Sequence, residues 1–197
     1  MRRWMIIGLM SAGLIGFSGA ASAQQAPAAA DQGAVYCVYD DLTSDTDYEK
    51  VAEAFLFKSL SQADQLAAKK LVDAAAAVCK TKFKMTPAQA NAMGSVGIYG
   101  ATTDYLTEDL MFNGLERETI NVVPTAWMDL TDEDLARVLK DDWRKDAAIV
   151  AKLKAALIAK GVPDLAFVMD PACDLVRVSL LAQTSALARS EERRVGK

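Results

Sequence analysis

Asp104 and Glu108 form an acidic pair at i, i+4 spacing, and Asp142 and Asp146 form a second. On a helix that spacing sets both carboxylates of a pair on one face. The second pair falls in an unusual place. A helix over residues 132–159, laid out at about 100° per residue, lines one side with Leu135, Val138, Leu139, Ile149, Val150, Leu153 and Leu157, and Asp142 and Asp146 lie in the middle of that stripe. A carboxylate there must find a cation, hydrogen-bond donors or water, or take up a proton. Counting about 1.5 Å per residue along antiparallel helices brings Asp104 to the level of Asp142, so four carboxylates can face one another. An oxygen-only set of this kind suits Ca²⁺ or Mg²⁺. A general acid with a carboxylate partner, as in glycan cleavage, is the hydrolytic use of the same groups. The purely structural use is ion pairing with Arg117, Arg177 or a lysine.

The chain contains no histidine. That removes Ser-His and Cys-His catalysis, zinc sets that include an imidazole, the paired Glu-x-x-His ligands of a di-iron bundle, and any imidazole pH switch. Asp45-Thr46-Asp47-Tyr48-Glu49 begins like a calcium loop, but Lys50 stands where the turn needs Gly and Leu56 where it needs a bidentate Glu. A phosphate-binding glycine loop, a Cys-x-x-Cys and a basic patch are likewise missing from the sequence. No catalytic or cofactor-binding residue is assigned.

The elements that would position these groups read as helices. Asp45, Thr46 or Asp47 caps a first helix to about Ser59. Ser61 and Asp64 resemble a capping box for a second, about 62–80. Thr86-Pro87-Ala88-Gln89 combines an N-cap, Pro at the first helical position and Gln at the third, opening a third helix to about Asn113 with Gly114 as its stop. Gly94, Gly97 and Gly100 inside it point to close approach of a neighbouring backbone. Thr131 opens a fourth helix over 132–159, stopped by Gly161 and Pro163, and Asp170-Pro171 starts a fifth to about Ala188. The expected fold is all-α: a single-domain up-down bundle of about five helices spanning residues 46–188.

Both ends differ from that domain. Residues 1–23 read as a secretory signal, with Arg2-Arg3, an apolar run from Trp4 to Phe17 and the small-x-small end Ala21-Ser22-Ala23. The apolar run is 14 residues, short of the ~20 a spanning helix needs. Cleavage after Ala23 is expected, followed by a flexible or extended segment over 24–45. Residues 189–197 resemble the translation of a sequencing adapter and are set aside as a non-native tail. Without these ends the chain loses six basic and two acidic residues, moving the net charge from −4 to −8.

Cys37, Cys79 and Cys173 belong to an oxidising compartment, where two of the three would pair. An up-down bundle places all three at one end. Cys37–Cys79 is the preferred bond because it ties the N-terminal segment to a helix end, and Cys79–Cys173 is the alternative. Cys173 left free in a helix's first turn would have a lowered thiol pKa. The expected protein is an exported, periplasmic or secreted bacterial helical domain. It would act by binding a protein or small ligand, or structurally in the envelope, without nucleic acid or stable membrane insertion. The alternatives are a Ca²⁺- or Mg²⁺-binding protein using Asp104, Glu108, Asp142 and Asp146, and a hydrolase using the same acids.

Overall fold

In the computed structural model, which describes residues 29–45, 48–57 and 59–195, the capping signals and apolar periodicity resolve into eight α-helices. They are α1 (Ala29–Asp45), α2 (Tyr48–Leu56), α3 (Gln62–Lys82), α4 (Pro87–Phe112), α5 (Arg117–Val122), α6 (Asp132–Val138), α7 (Ala147–Ala159) and α8 (Ala166–Val195). Two 3-10 turns, Val123–Asp129 and Trp143–Lys145, complete the path, and the described residues include no strand. The expected leader over residues 1–23 lies outside the described residues.

The local start signals account for α3 and α4. Ser61 Oγ accepts from the Asp64 backbone N–H at 3.2 Å. At α4 the capping box is reciprocal, with Gln89 N–H donating to Thr86 Oγ1 at 3.2 Å and Thr86 N–H donating to the Gln89 side chain at 3.0 Å. Gly114 follows α4 at φ +85°, a left-handed conformation that a side chain disfavours.

α4 is the central helix, packed by α1, α2, α3 and α8. Tyr39 lies against Gly100 and Gly33 against Phe83 just before α4, so α1 runs in the same direction as α4. Tyr48 reaches Glu108 while Phe55 stacks edge-on against Tyr99, so α2 runs opposite to α4. α3 opposes α4 as well, with Val72 against Gly94 and a tight turn joining the two. The successive helices α2 and α3 therefore both run against α4, which departs from simple up-down alternation. α8 is the other long antiparallel partner: Ala186 packs beside the N-terminal half of α4, and Val168 to Val178 join the cluster around Leu106 and Leu110.

Two main cores share α4. One holds Val38, Leu42, Val51, Cys79 and Met93, from α1 to α4; the other holds Leu110, Val123, Leu153, Leu157, Met169 and Leu175, from α4 to α8. Most of these are fully buried, and each such side chain contributes about 1.5–3 kcal/mol over leaving it in water.

Three expectations are corrected. The segment 24–45 is not extended where it is described: from Ala29 it is helical, and Ala34, Val35, Val38 and Leu42 are buried along one face. The expected helix 132–159 is broken between Val138 and Ala147. Arg177 from α8 donates through Nε to the Val138 carbonyl at 3.1 Å, satisfying backbone that the break exposes, and Trp143 inserts at 4% exposure. α8 begins five residues before Pro171. The missing proline N–H would have bonded to the carbonyl of Phe167, an exposed residue in the first turn, while the added turn buries Val168 and Met169.

Candidate functional site

The acids that the sequence singles out occupy two separate settings. Asp104 and Glu108 lie on one face of α4, where α1 and α2 cross it. The Tyr39 hydroxyl donates to Asp104 Oδ2 at 2.7 Å, and the Tyr48 hydroxyl bonds to Glu108. Burial raises the Asp104 carboxyl above the usual carboxylate range; the Tyr39 hydrogen bond opposes this and the Glu108 charge adds to it. Both phenols are held well above their ordinary value, first by burial and then by the carboxylates they donate to. Chemically, each phenol acts as a fixed neutral donor to an anion, and each pair docks a helix onto α4.

This contact is close because α4 has no side chain beneath α1. A Cβ on Gly97 would stand 2.5 Å from Val38 Cγ1, and one on Gly100 2.4 Å from the Tyr39 ring. Gly94 is different, with its nearest neighbour, Val72, at an ordinary 3.6 Å. The close-approach reading therefore applies to Gly97 and Gly100.

The second setting surrounds the break between α6 and α7. Asp134 is 4% exposed. Its carboxylate receives two hydrogen bonds from Lys152 Nζ, at 2.7 and 2.8 Å, and one from Thr131 Oγ1 at 3.0 Å. Arg137 grips Asp146 with two parallel bonds, Nε to Oδ2 at 2.8 Å and Nη2 to Oδ1 at 2.6 Å. Asp146 also accepts from Ile149 N–H at 3.3 Å, capping α7. The Lys152 hydrogen bonds hold Asp134 below the usual carboxylate range, and the Arg137 bonds do the same for Asp146. Asp142 is exposed and precedes the 3-10 turn.

The four acids of the expected metal cluster are thus not assembled. Asp104 and Glu108 face tyrosines, Asp146 is spent on Arg137, and Asp142 points outward from a bend instead of from an apolar stripe. Among the described residues no group of three or more Cys, Asp or Glu stands where it could hold a metal ion. The cause is the helix break, since the 100° projection that aligned Asp142 with Asp146 holds only for a continuous helix.

Cys37 and Cys79 are bonded, with an S–S distance of 2.02 Å across a sequence separation of 42. Cys173 is free and buried, so the alternative Cys79–Cys173 bond is not formed. It lies not in a first turn but seven residues into α8, within the core at the far half of α4, and not beside the other two. Burial pushes its thiol up to about 12, opposite to the lowering expected of a helix start.

Sequence reasoning missed Tyr39, Tyr48, Asp134, Arg137 and Lys152. Thr131-x-x-Asp134 was a visible capping pattern, whereas the Arg137–Asp146 grip depends on the break. The chain was compared with family models, with curated proteins and with solved structures, and no match was found.

Proposed function

We propose that this is an exported, envelope-resident helical protein that acts by binding a partner and not by catalysis. The observation that carries the reading is the Cys37–Cys79 bond, which fastens α1 to the end of α3. A bond of this kind persists in an oxidising compartment, in keeping with the secretory pattern of residues 1–23. Among the described residues no helix is long and apolar enough to cross a membrane. The candidate acids add support, because Asp104, Glu108, Asp134 and Asp146 each hold one helix against another.

Fractionation of bacteria expressing the full chain tests residence. Recovery in the periplasmic fraction with Gln24 as the first residue is expected; a cytoplasmic chain retaining residues 1–23 would overturn the reading. Melting with Ca²⁺, Mg²⁺ or chelator separates binding of a partner from binding of a cation. No shift is expected, because a ligand specific to the folded state raises stability as it saturates, and a rise with either cation would restore the carboxylate reading.

A further inference from the structure

α3 is covered on one side. It packs on α1, α2 and α4 through Ala68, Ala75 and Cys79, which are buried, and Leu71, Val72 and Ala76, which are half-buried. The opposite side projects into water. Ala63, Ala67, Lys70, Ala74, Ala77 and Thr81 follow one another along it at alternating steps of four and three residues, and all six are exposed. That alternation keeps one line of side chains facing a neighbouring helix. Two large apolar side chains flank the line, Leu66 at 52% exposure and Val78 at 55%. At about 100° per residue they stand on opposite flanks, Leu66 on that of Ala77 and Val78 on that of Ala67.

A helix lying on this face must answer three features: hollows at the alanines, a bulky group near each end, and charges of both signs at Lys70 and Asp73 near the middle. A second α3 answers all three when it runs antiparallel about a two-fold axis at the level of Val72. Residues equally far before and after Val72 then meet, and each flank meets its own copy. Leu66 faces the partner's Ala77, and Val78 faces the partner's Ala67, so large opposes small at both ends. Lys70 comes level with the partner's Asp73 on the same flank. Lys69 of the same helix bonds Asp73 Oδ2, and Oδ1 is the acceptor for the second cation. With one cation and one anion, this face gives neither an anionic bilayer nor a cationic peptide a net attraction, whereas its own antiparallel image supplies the opposite sign at each place.

We propose that the outward face of α3 binds a second copy of this chain, with the two α3 helices antiparallel, Leu66 and Val78 as the apolar contacts and Lys70 with the partner's Asp73 as reciprocal ion pairs. This names a partner for the binding role proposed above without resting on export. From Ala63 to Thr81 the pair spans about 27 Å, a small interface, so the dimer is in exchange with single chains.

Sedimentation equilibrium of the purified chain from about 1 to about 500 µM is the test, and the mass is expected to climb from one chain toward two. Ala74→Arg sets a cation against the partner's Lys70 and should weaken association at least about tenfold, while the melting temperature of the dilute protein holds. Lys70→Glu or Asp73→Lys alone should weaken it severalfold. The two together should recover it, because each reciprocal pair regains opposite signs. A single chain at every concentration overturns the proposal. Association that Ala74→Arg leaves intact also overturns it, by placing the contact on another face, and a double reversal that fails to recover association overturns the antiparallel arrangement. Each of these results leaves envelope residence standing, since the periplasmic fraction reports on that separately.

Discussion

Asp104 and Asp134 are both drawn in from solvent, yet acid acts on them in opposite directions. An unfolded Asp titrates near 3.9, roughly. Folding lifts Asp104 above that value through burial, so at pH 7 its ionised form costs stability, and the cost is relieved as pH falls through the raised value. Asp104→Asn keeps an acceptor for Tyr39 and removes the charge. It is expected to raise the melting temperature at pH 7, with the advantage fading by about pH 4. Asp134 is held down by Lys152 and Thr131, so its contribution is complete above the unfolded value and disappears as pH falls through the lowered one. Asp134→Asn is expected to lower the melting temperature at pH 7, and melts at successively lower pH should show the deficit closing. A lower melting temperature for Asp104→Asn at pH 7 would contradict the burial account of that site.

At the scale of elements, what could be read from the sequence was whatever depends on neighbours within a turn. Thr86 and Gln89 cap α4 as their spacing says, and Gly114 and Gly161 stop α4 and α7 because both adopt positive φ. What could not be read depends on distant groups. The bend after Val138 is fastened by Arg177, 39 residues on, and the Asp146 cap forms only because Arg137 folds back across the gap. The helical face of α1 was present as Ala34, Val35, Val38 and Leu42, but the Ala- and Gln-rich stretch before it obscured that period. The glycines of α4 give a direct check. Gly94→Ala meets ordinary contact and should gain up to about 1 kcal/mol from helix propensity. Gly97→Ala must displace the buried Val38 and should fall below Gly94→Ala by about 1–3 kcal/mol in urea unfolding.

Over the whole molecule, α4 joins two cores, and α1 belongs to the first through the glycine seat, the Tyr39–Asp104 bond and the disulfide. All three cysteines at one end was an inference from five alternating helices. It failed because α8 runs antiparallel to α4, where strict alternation would have made the two parallel, and this places Cys173 beside the far half of α4, away from Cys37 and Cys79. Replacing Cys37 and Cys79 by Ser should cost about 2–4 kcal/mol in unfolding free energy, since the bond closes a 42-residue separation. The central claim is that α1 is covalently fastened in an oxidising compartment. Its most direct test is non-reducing peptide mapping by mass spectrometry of the protein recovered from the periplasm. The account predicts a Cys37–Cys79 linked peptide with Cys173 as a free thiol that alkylates only after unfolding. Reduced Cys37 and Cys79, or a bond that includes Cys173, would contradict it.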